Sequence, residues 1–209
     1  LVAGRSVIGE LLSKVREEDQ SVRRVQLAFI ALIGAVVLVP SAARAWKSQA
    51  EIPTATNNVY SQQIQMARFL GAYYKSASVA AHDIGAICFY SDVRLLDLAG
   101  LGSTEVAHLP LDGGVLSDEA TLSRLMQRRG VEVAIVYEDW FAGALPAEWR
   151  GVGQWGIGNN IALGGPVVTF FATGNHPDSE LRLAANLMAF APSLPAGVQW
   201  AVDPSLLSQ

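Results

Sequence analysis

Cysteine is nearly absent from this 209-residue chain, Cys88 being the only one. That excludes an intrachain disulfide and any zinc site built on several thiolates. Cys88 sits in an apolar run with Ile87, Phe89 and Tyr90, which predicts a buried thiol behaving as a small hydrophobe. Charge is scarce too: 16% of residues are charged against 51% apolar, and mean hydropathy is +0.28. Those values are too apolar for an ordinary soluble domain and too polar for a multi-span transporter. The charge is also unevenly spread. Residues 1–47 carry seven basic against four acidic side chains, and the remainder eight against fifteen. An acidic C-terminal portion argues against nucleic acid, and against adsorption to anionic lipid. Compact catalytic motifs are missing as well: there is no H-E-x-x-H, P-loop or G-x-S-x-G, and no internal repeat or low-complexity tract.

What the chain does have is one long apolar run. Val25 to Ala43 reads VQLAFIALIGAVVLVPSAA, with Gln26 and Ser41 its only polar residues. As a helix, some 19 residues cover about 28 Å, close to the hydrocarbon thickness of a bilayer. Arg5, Lys14, Arg16, Arg23 and Arg24 precede it, while only Arg44 and Lys47 follow closely. The basic excess places residues 1–22 in the cytoplasm as an amphipathic segment, residues 23–47 across the membrane, and residues 48–209 on the extracytoplasmic side. Trp46 stands where an interfacial aromatic belongs. The competing reading is a secretory signal, with Arg23 and Arg24 as its basic region and Ala43-Arg44-Ala45 as its cleavage site. The chain opens at Leu1 without a methionine, and its first twenty residues resemble neither a targeting peptide nor a domain start, which suggests a piece of a longer protein.

Beyond the span, the pattern predicts an α/β fold, a three-layer domain with a mixed sheet. Residues 6–18 form an amphipathic helix and 48–56 a polar linker around Pro53. A helix capped by Asn57 or Asn58 runs to about Lys75, with Tyr60, Ile64, Ala67, Gly71 and Tyr74 as its stripe. Strands are expected at 78–82, 93–98, 131–137, 151–157 and 166–173. Asp83 is placed to cap a helical turn at 84–90. Leu109 to Leu116 is a loop, Ser117 and Asp118 open a helix that closes at Gly130, and a last helix covers about 178–190.

Three constellations carry chemistry. Gly151, Gly153 and Gly156 match G-x-G-x-x-G, but turn residues follow where a dinucleotide site needs a helix, so they read as hairpin glycines. His82 and Asp83 end a strand at the edge where open α/β sheets gather ligands, and Asp97 ends the next parallel strand. These three are the candidate substrate-binding residues, for a sugar hydroxyl, a phosphate or a divalent metal; the plainer alternative makes Asp83 a helix cap and His82 a slot-filler. Trp140, Phe141, Trp149 and Trp155 lie near Glu138, Asp139 and Glu148, a mixture that suits sugar stacking, a core or a bilayer interface. His176, before Pro177, reads as a loop residue.

The segments V79–S91, containing HDIGA (82–86), and V93–L101, containing LLDLAGL (95–101), resemble a signature of multi-span membrane glycosyltransferases of the GT-C class. These are the dolichyl-phosphate-mannose mannosyltransferase-like (family 39) and arabinofuranosyltransferase-like bacterial proteins, and the likeness covers about residues 20–173. It implies a parent enzyme that moves a sugar from a polyprenyl-phosphate donor to a glycan or lipid acceptor outside the cytoplasmic membrane. In such enzymes an acidic residue in an early external loop is the base. That loop would lie upstream of Leu1, so no catalytic residue is carried over. No cofactor is expected in this segment, and divalent-metal use by the parent is left open. The likeness makes residues 48–209 an accessory, acceptor-side domain. The alternatives are a membrane-tethered extracytoplasmic binding or sensor domain without enzymatic activity, and a secreted protein whose leader is Arg23–Ala45.

Overall fold

The computed structural model describes residues 3–109, 118–141 and 145–207, with side chains from residue 20 onward. It divides into two compact units, residues 1–52 and 53–209.

The first unit is helical, belonging to α1 (Ala3–Val59). Its apolar side chains are uncovered: Val25 is 69% exposed, Leu38 68% and Trp46 80%. This is the one helix among the described residues long and apolar enough to cross a bilayer; a membrane anchor and a signal sequence fit it equally on length and composition. Pro40 interrupts the hydrogen-bond ladder without ending the helix, and the Ser41 hydroxyl donates to the Val37 carbonyl at 2.7 Å. The stripe expected at 6–18 falls on side chains outside the described set. The linker expected at 48–56 is not there, for those residues are helical. Lys47, Gln49, Ala50 and Glu51 are good helix formers, and the Lys47–Glu51 pair at 3.8 Å supports the turn. Polarity was mistaken for irregularity.

The second unit is an α/β domain around a mixed, open six-stranded sheet. Along the chain come a π-helical turn at Tyr60–Ile64, α2 (Gln65–Tyr73), β1 (Ser78–Ala81), α3 (Gly85–Tyr90), β2 (Arg94–Asp97), α4 (Thr104–Ala107), α5 (Glu119–Arg129) and β3 (Val133–Val136). They are followed by β4 (Arg150–Gly156), β5 (Val167–Ala172), α6 (Ser179–Phe190) and β6 (Gln199–Val202). Strand order is β2-β1-β3-β5-β4-β6. β1 pairs in parallel with β2 and β3, and every later pairing is antiparallel.

Alternation along the strands builds two cores. Val79, Ala81, Val133 and Ile135 face one buried cluster with Phe69, Leu70, Trp155, Phe170 and Leu187. Ala80, Ala134 and Val136 face the other, with Leu122, Leu125, Met126, Phe141 and Trp149. Helix α5 follows its local signals: the Asp118 carboxylate accepts from the Thr121 amide at 2.9 Å, and Gly130 closes the helix at φ 54°. No helix starts at Asn57 or Asn58. Asn58 is buried, and its Oδ1 accepts from the Ile161 amide at 2.9 Å, tying the helix to the β4–β5 loop. The π-helical turn also rotates the buried face, so that Tyr60 is exposed while Gln62, Met66, Phe69 and Leu70 pack inward. Cys88 is exposed, not buried, because the short α3 turns Ile87 inward and leaves Cys88, Phe89 and Tyr90 outside.

Candidate functional site

The chain leaves β1 for β2 on one side of the sheet, and after β2 it crosses back to β3 on the other side. The crevice between the C-terminal ends of β1 and β3 is therefore the topological switch point where open α/β sheets hold ligands. A cleft of about 460 Å³ lies there, lined by Gln63, His82, Asp83, Ala99, Leu101, Tyr137, Trp140, Ala162 and Gly164.

His82 is the first residue after β1 and is only 6% exposed. Its imidazole lies beneath the Trp140 indole, ring centroids 4.9 Å apart and planes 30° apart, with Tyr137 edge-on at 4.7 Å. Among the described residues neither ring nitrogen has a hydrogen-bond partner. Burial drives its pKa down to about 4, against an opposing pull from the Asp97 charge, so the ring is neutral at pH 7.

Asp83 does not cap α3. The N-cap of that helix is Ile84, with no side-chain cap, and the Asp83 carboxylate instead meets the cleft. Its Oδ2 accepts from Gln63 Nε2 and, at 3.2 Å, from the Tyr137 hydroxyl. The same hydroxyl donates more closely to Gln62 Oε1, at 2.7 Å. Burial and the neighbouring Asp83 charge push the Tyr137 phenol well above its ordinary range, so it stays a proton donor. Gln62 and Gln63 both belong to the π-helical turn, a local widening that often marks a functional position.

Asp97 stands at the same sheet edge, in register with Ala81, but is not among the residues lining the cleft. Buried at the end of β2, it turns into its own loop, with Oδ1 accepting from the Ala99 amide at 2.9 Å and Oδ2 from the Gly102 amide at 2.5 Å. It shapes the loop that brings Ala99 and Leu101 to the cleft, and reaches His82 only through its field. Among the described residues, no three His, Cys, Asp or Glu side chains gather where they could hold a metal ion.

The tryptophan-rich segment splits in two. Phe141, Trp149 and Trp155 are core, whereas Trp140 is 41% exposed and walls the cleft. Its Nε1 donates to the Gly164 carbonyl at 3.0 Å. A Cβ at Gly164 would stand 2.6 Å from Trp140 Cζ2 and 2.7 Å from Tyr137 Cε2, so only glycine lets this loop lie on the aromatic pair. His176 lies apart, exposed, near the Gly130 carbonyl.

Of the three residues expected from sequence, the fold brings His82 and Asp83 together and sends Asp97 elsewhere. Gln62, Gln63, Tyr137 and Gly164 carried no motif. The available signals were a run of polar residues, Asn58, Ser61, Gln62 and Gln65, on the buried side of the helix around Gln63, and a tyrosine closing an all-buried strand. Chemically the cleft offers a neutral imidazole, a carboxylate, an amide and an indole face. Among the described residues its lining has no lysine or arginine.

No curated protein and no solved structure matches the chain. A family model described as a domain of unknown function matches residues 56–171, a stretch running from the turn before Gln62 to the end of β5 and holding every lining residue of the cleft. The chain belongs to that family, DUF8728.

Proposed function

We propose that this chain is the C-terminal portion of an integral-membrane glycosyltransferase that uses a polyprenyl-phosphate sugar, and that its α/β domain holds the acceptor sugar on the extracytoplasmic side. One observation carries the reading. The two segments on which the glycosyltransferase likeness rests lie apart in sequence and meet in one cleft: His82 and Asp83 come from HDIGA, Ala99 and Leu101 from LLDLAGL. The chemistry of the lining agrees, since an indole face suits the C–H face of a sugar while a carboxylate and an amide take its hydroxyls. The base that removes the acceptor proton is assigned to the parent's upstream part, so this domain binds and does not turn over.

Two measurements test this. The encoding DNA upstream of Leu1 should continue in frame through several hydrophobic spans and an external acidic loop. Purified residues 1–209 should transfer no sugar from a polyprenyl-phosphate donor. Turnover by that fragment would put the catalytic group in this domain. A start site immediately upstream would instead favour the second reading, a membrane-tethered binding or sensor domain using the same self-contained cleft.

A further inference from the structure

Resting on the reading that this cleft holds a sugar, we infer that the Trp140 indole is a displaceable cover over His82, and that the site it uncovers takes a neutral sugar ring and rejects anionic sugars. His82 motivates the first half. A histidine 6% exposed with both ring nitrogens unpartnered is a costly arrangement unless something completes it, because a buried donor or acceptor left unmade forfeits its hydration. The Trp140 indole lies on the face of that imidazole, with Tyr137 and Phe141 tilted around it, and among the described residues none of these rings supplies the missing hydrogen bond. The cover is also lightly held. Trp140 is 41% exposed, and the indole's hydrogen bond among the described residues, to the Gly164 carbonyl, is made from Nε1 at the edge of the ring.

There is room for it to move. A second cavity of about 280 Å³ shares Tyr137, Trp140 and Gly164 with the first, so the indole is the wall between two spaces. Shifted toward the second, it would uncover the imidazole and keep a face turned to the first. A ligand hydroxyl could then donate to the unprotonated imidazole nitrogen, while its ring stacks on the indole. Another hydroxyl reaches Asp83, whose hydrogen bonds among the described residues both fall on Oδ2.

Charge settles the ligand class. Among the described residues the lining contains one carboxylate, Asp83, and no lysine or arginine, while Glu138 and Asp139 line the adjoining cavity. A phosphate or uronate would meet repulsion here with no arginine or lysine to offset it. The occupant is accordingly an uncharged glycosyl unit of the acceptor and not the phosphate end of the donor.

The test uses the full chain in lipid nanodiscs, avoiding glycoside detergents that would compete. Its tryptophans are 5-fluoro-labelled, and the Trp140 signal is assigned with Trp140→Phe. The probes are a panel of neutral methyl hexopyranosides and methyl pentofuranosides, with the same sugars as 1-phosphates and as uronic acids. The expected result is that at least one neutral glycoside binds and shifts the Trp140 resonance, that its charged counterparts bind about tenfold or more weakly, and that Asp83→Asn narrows this gap. His82→Ala should weaken the neutral ligand about tenfold, the loss of one good hydrogen bond. Binding of a neutral glycoside with an unmoved Trp140 signal, or equal binding of the charged sugars, overturns this inference and leaves the sugar-binding reading standing. Absence of binding by every sugar in the panel overturns both. The Trp140 and Asp83→Asn readouts decide the matter even where His82→Ala does not fold.

Discussion

At the scale of single residues, His82 ties stability to pH. Unfolded, its imidazole takes a proton near pH 6.5; folded, burial holds its pKa down at about 4. Between those values the unfolded chain binds more protons, so stability falls as pH drops through the window, and the loss approaches about 3 kcal/mol by pH 4. The Asp97 charge opposes the effect without cancelling it. We expect unfolding free energies measured at pH 7 and pH 4.5 to differ by less in His82→Gln than in the natural chain. A slope unchanged by the substitution would mean that His82 is solvated and protonated in the folded state. His82 was legible as a candidate because a polar pair directly after an apolar strand is a local pattern. The different fates of Asp83 and Asp97 were not legible. Both follow strand residues in the sequence, and only the five-residue loop closing onto the Asp97 carboxylate turns one inward while the other faces the cleft.

At the scale of elements, β4 depends on the absence of a side chain. A Cβ on Gly153 would come 2.7 Å from Leu187 Cδ1 and 2.8 Å from the Ala201 carbonyl oxygen. The leucine can yield; the carbonyl belongs to β6, so the β4–β6 pairing would have to spread. Gly153→Ala should therefore cost about 2–3 kcal/mol in denaturant unfolding. Gly158→Ala, with open space around its Cβ, should stay within about 0.5 kcal/mol. Equal stability of the two variants would refute the close packing of β4 against β6 and α6. The literal G-x-G-x-x-G here lacks the geometry that holds a dinucleotide phosphate: two of its glycines sit inside β4 and the third ends it, with no helix N-terminus directly behind them. Elements with local punctuation were readable from sequence. Helix α5 has its Asp118 cap and Gly130 stop, and β3 is an unbroken run of apolar residues. β6 was missed because Gln199, Trp200 and Ala201 are exposed, so nothing in their pattern marks a buried face; pairing to β4 alone makes them a strand. The π-helical turn was missed for a related reason. Its driving force is long-range, through Gln62 and Gln63 reaching Tyr137 and Asp83, 75 and 20 residues on respectively.

At the scale of the whole molecule, the uncovered apolar helix and the exposed Cys88 together make a direct test of placement. If α1 is a retained span, two charges at its centre should expel it. Leu32 and Val36 lie one turn apart near the middle of the run, and arginine at a span's centre is disfavoured by about 2.5–3.5 kcal/mol per residue on insertion scales. In residues 1–209 expressed by themselves, Leu32→Arg with Val36→Arg should move the chain from the carbonate-resistant membrane fraction to the supernatant, while the unsubstituted fragment stays in the pellet. A cleaved signal predicts something different: natural protein already in the soluble fraction, with a new N-terminus near Trp46. Orientation is then read from the single thiol. Because Cys88 is exposed, a membrane-impermeant maleimide should label intact cells if the α/β domain lies outside, the side proposed from the basic excess ahead of the span. Labelling only after permeabilisation would place the cleft in the cytoplasm. A polyprenyl-linked acceptor site on the outer face would then be untenable, whatever sugar the cleft was found to bind.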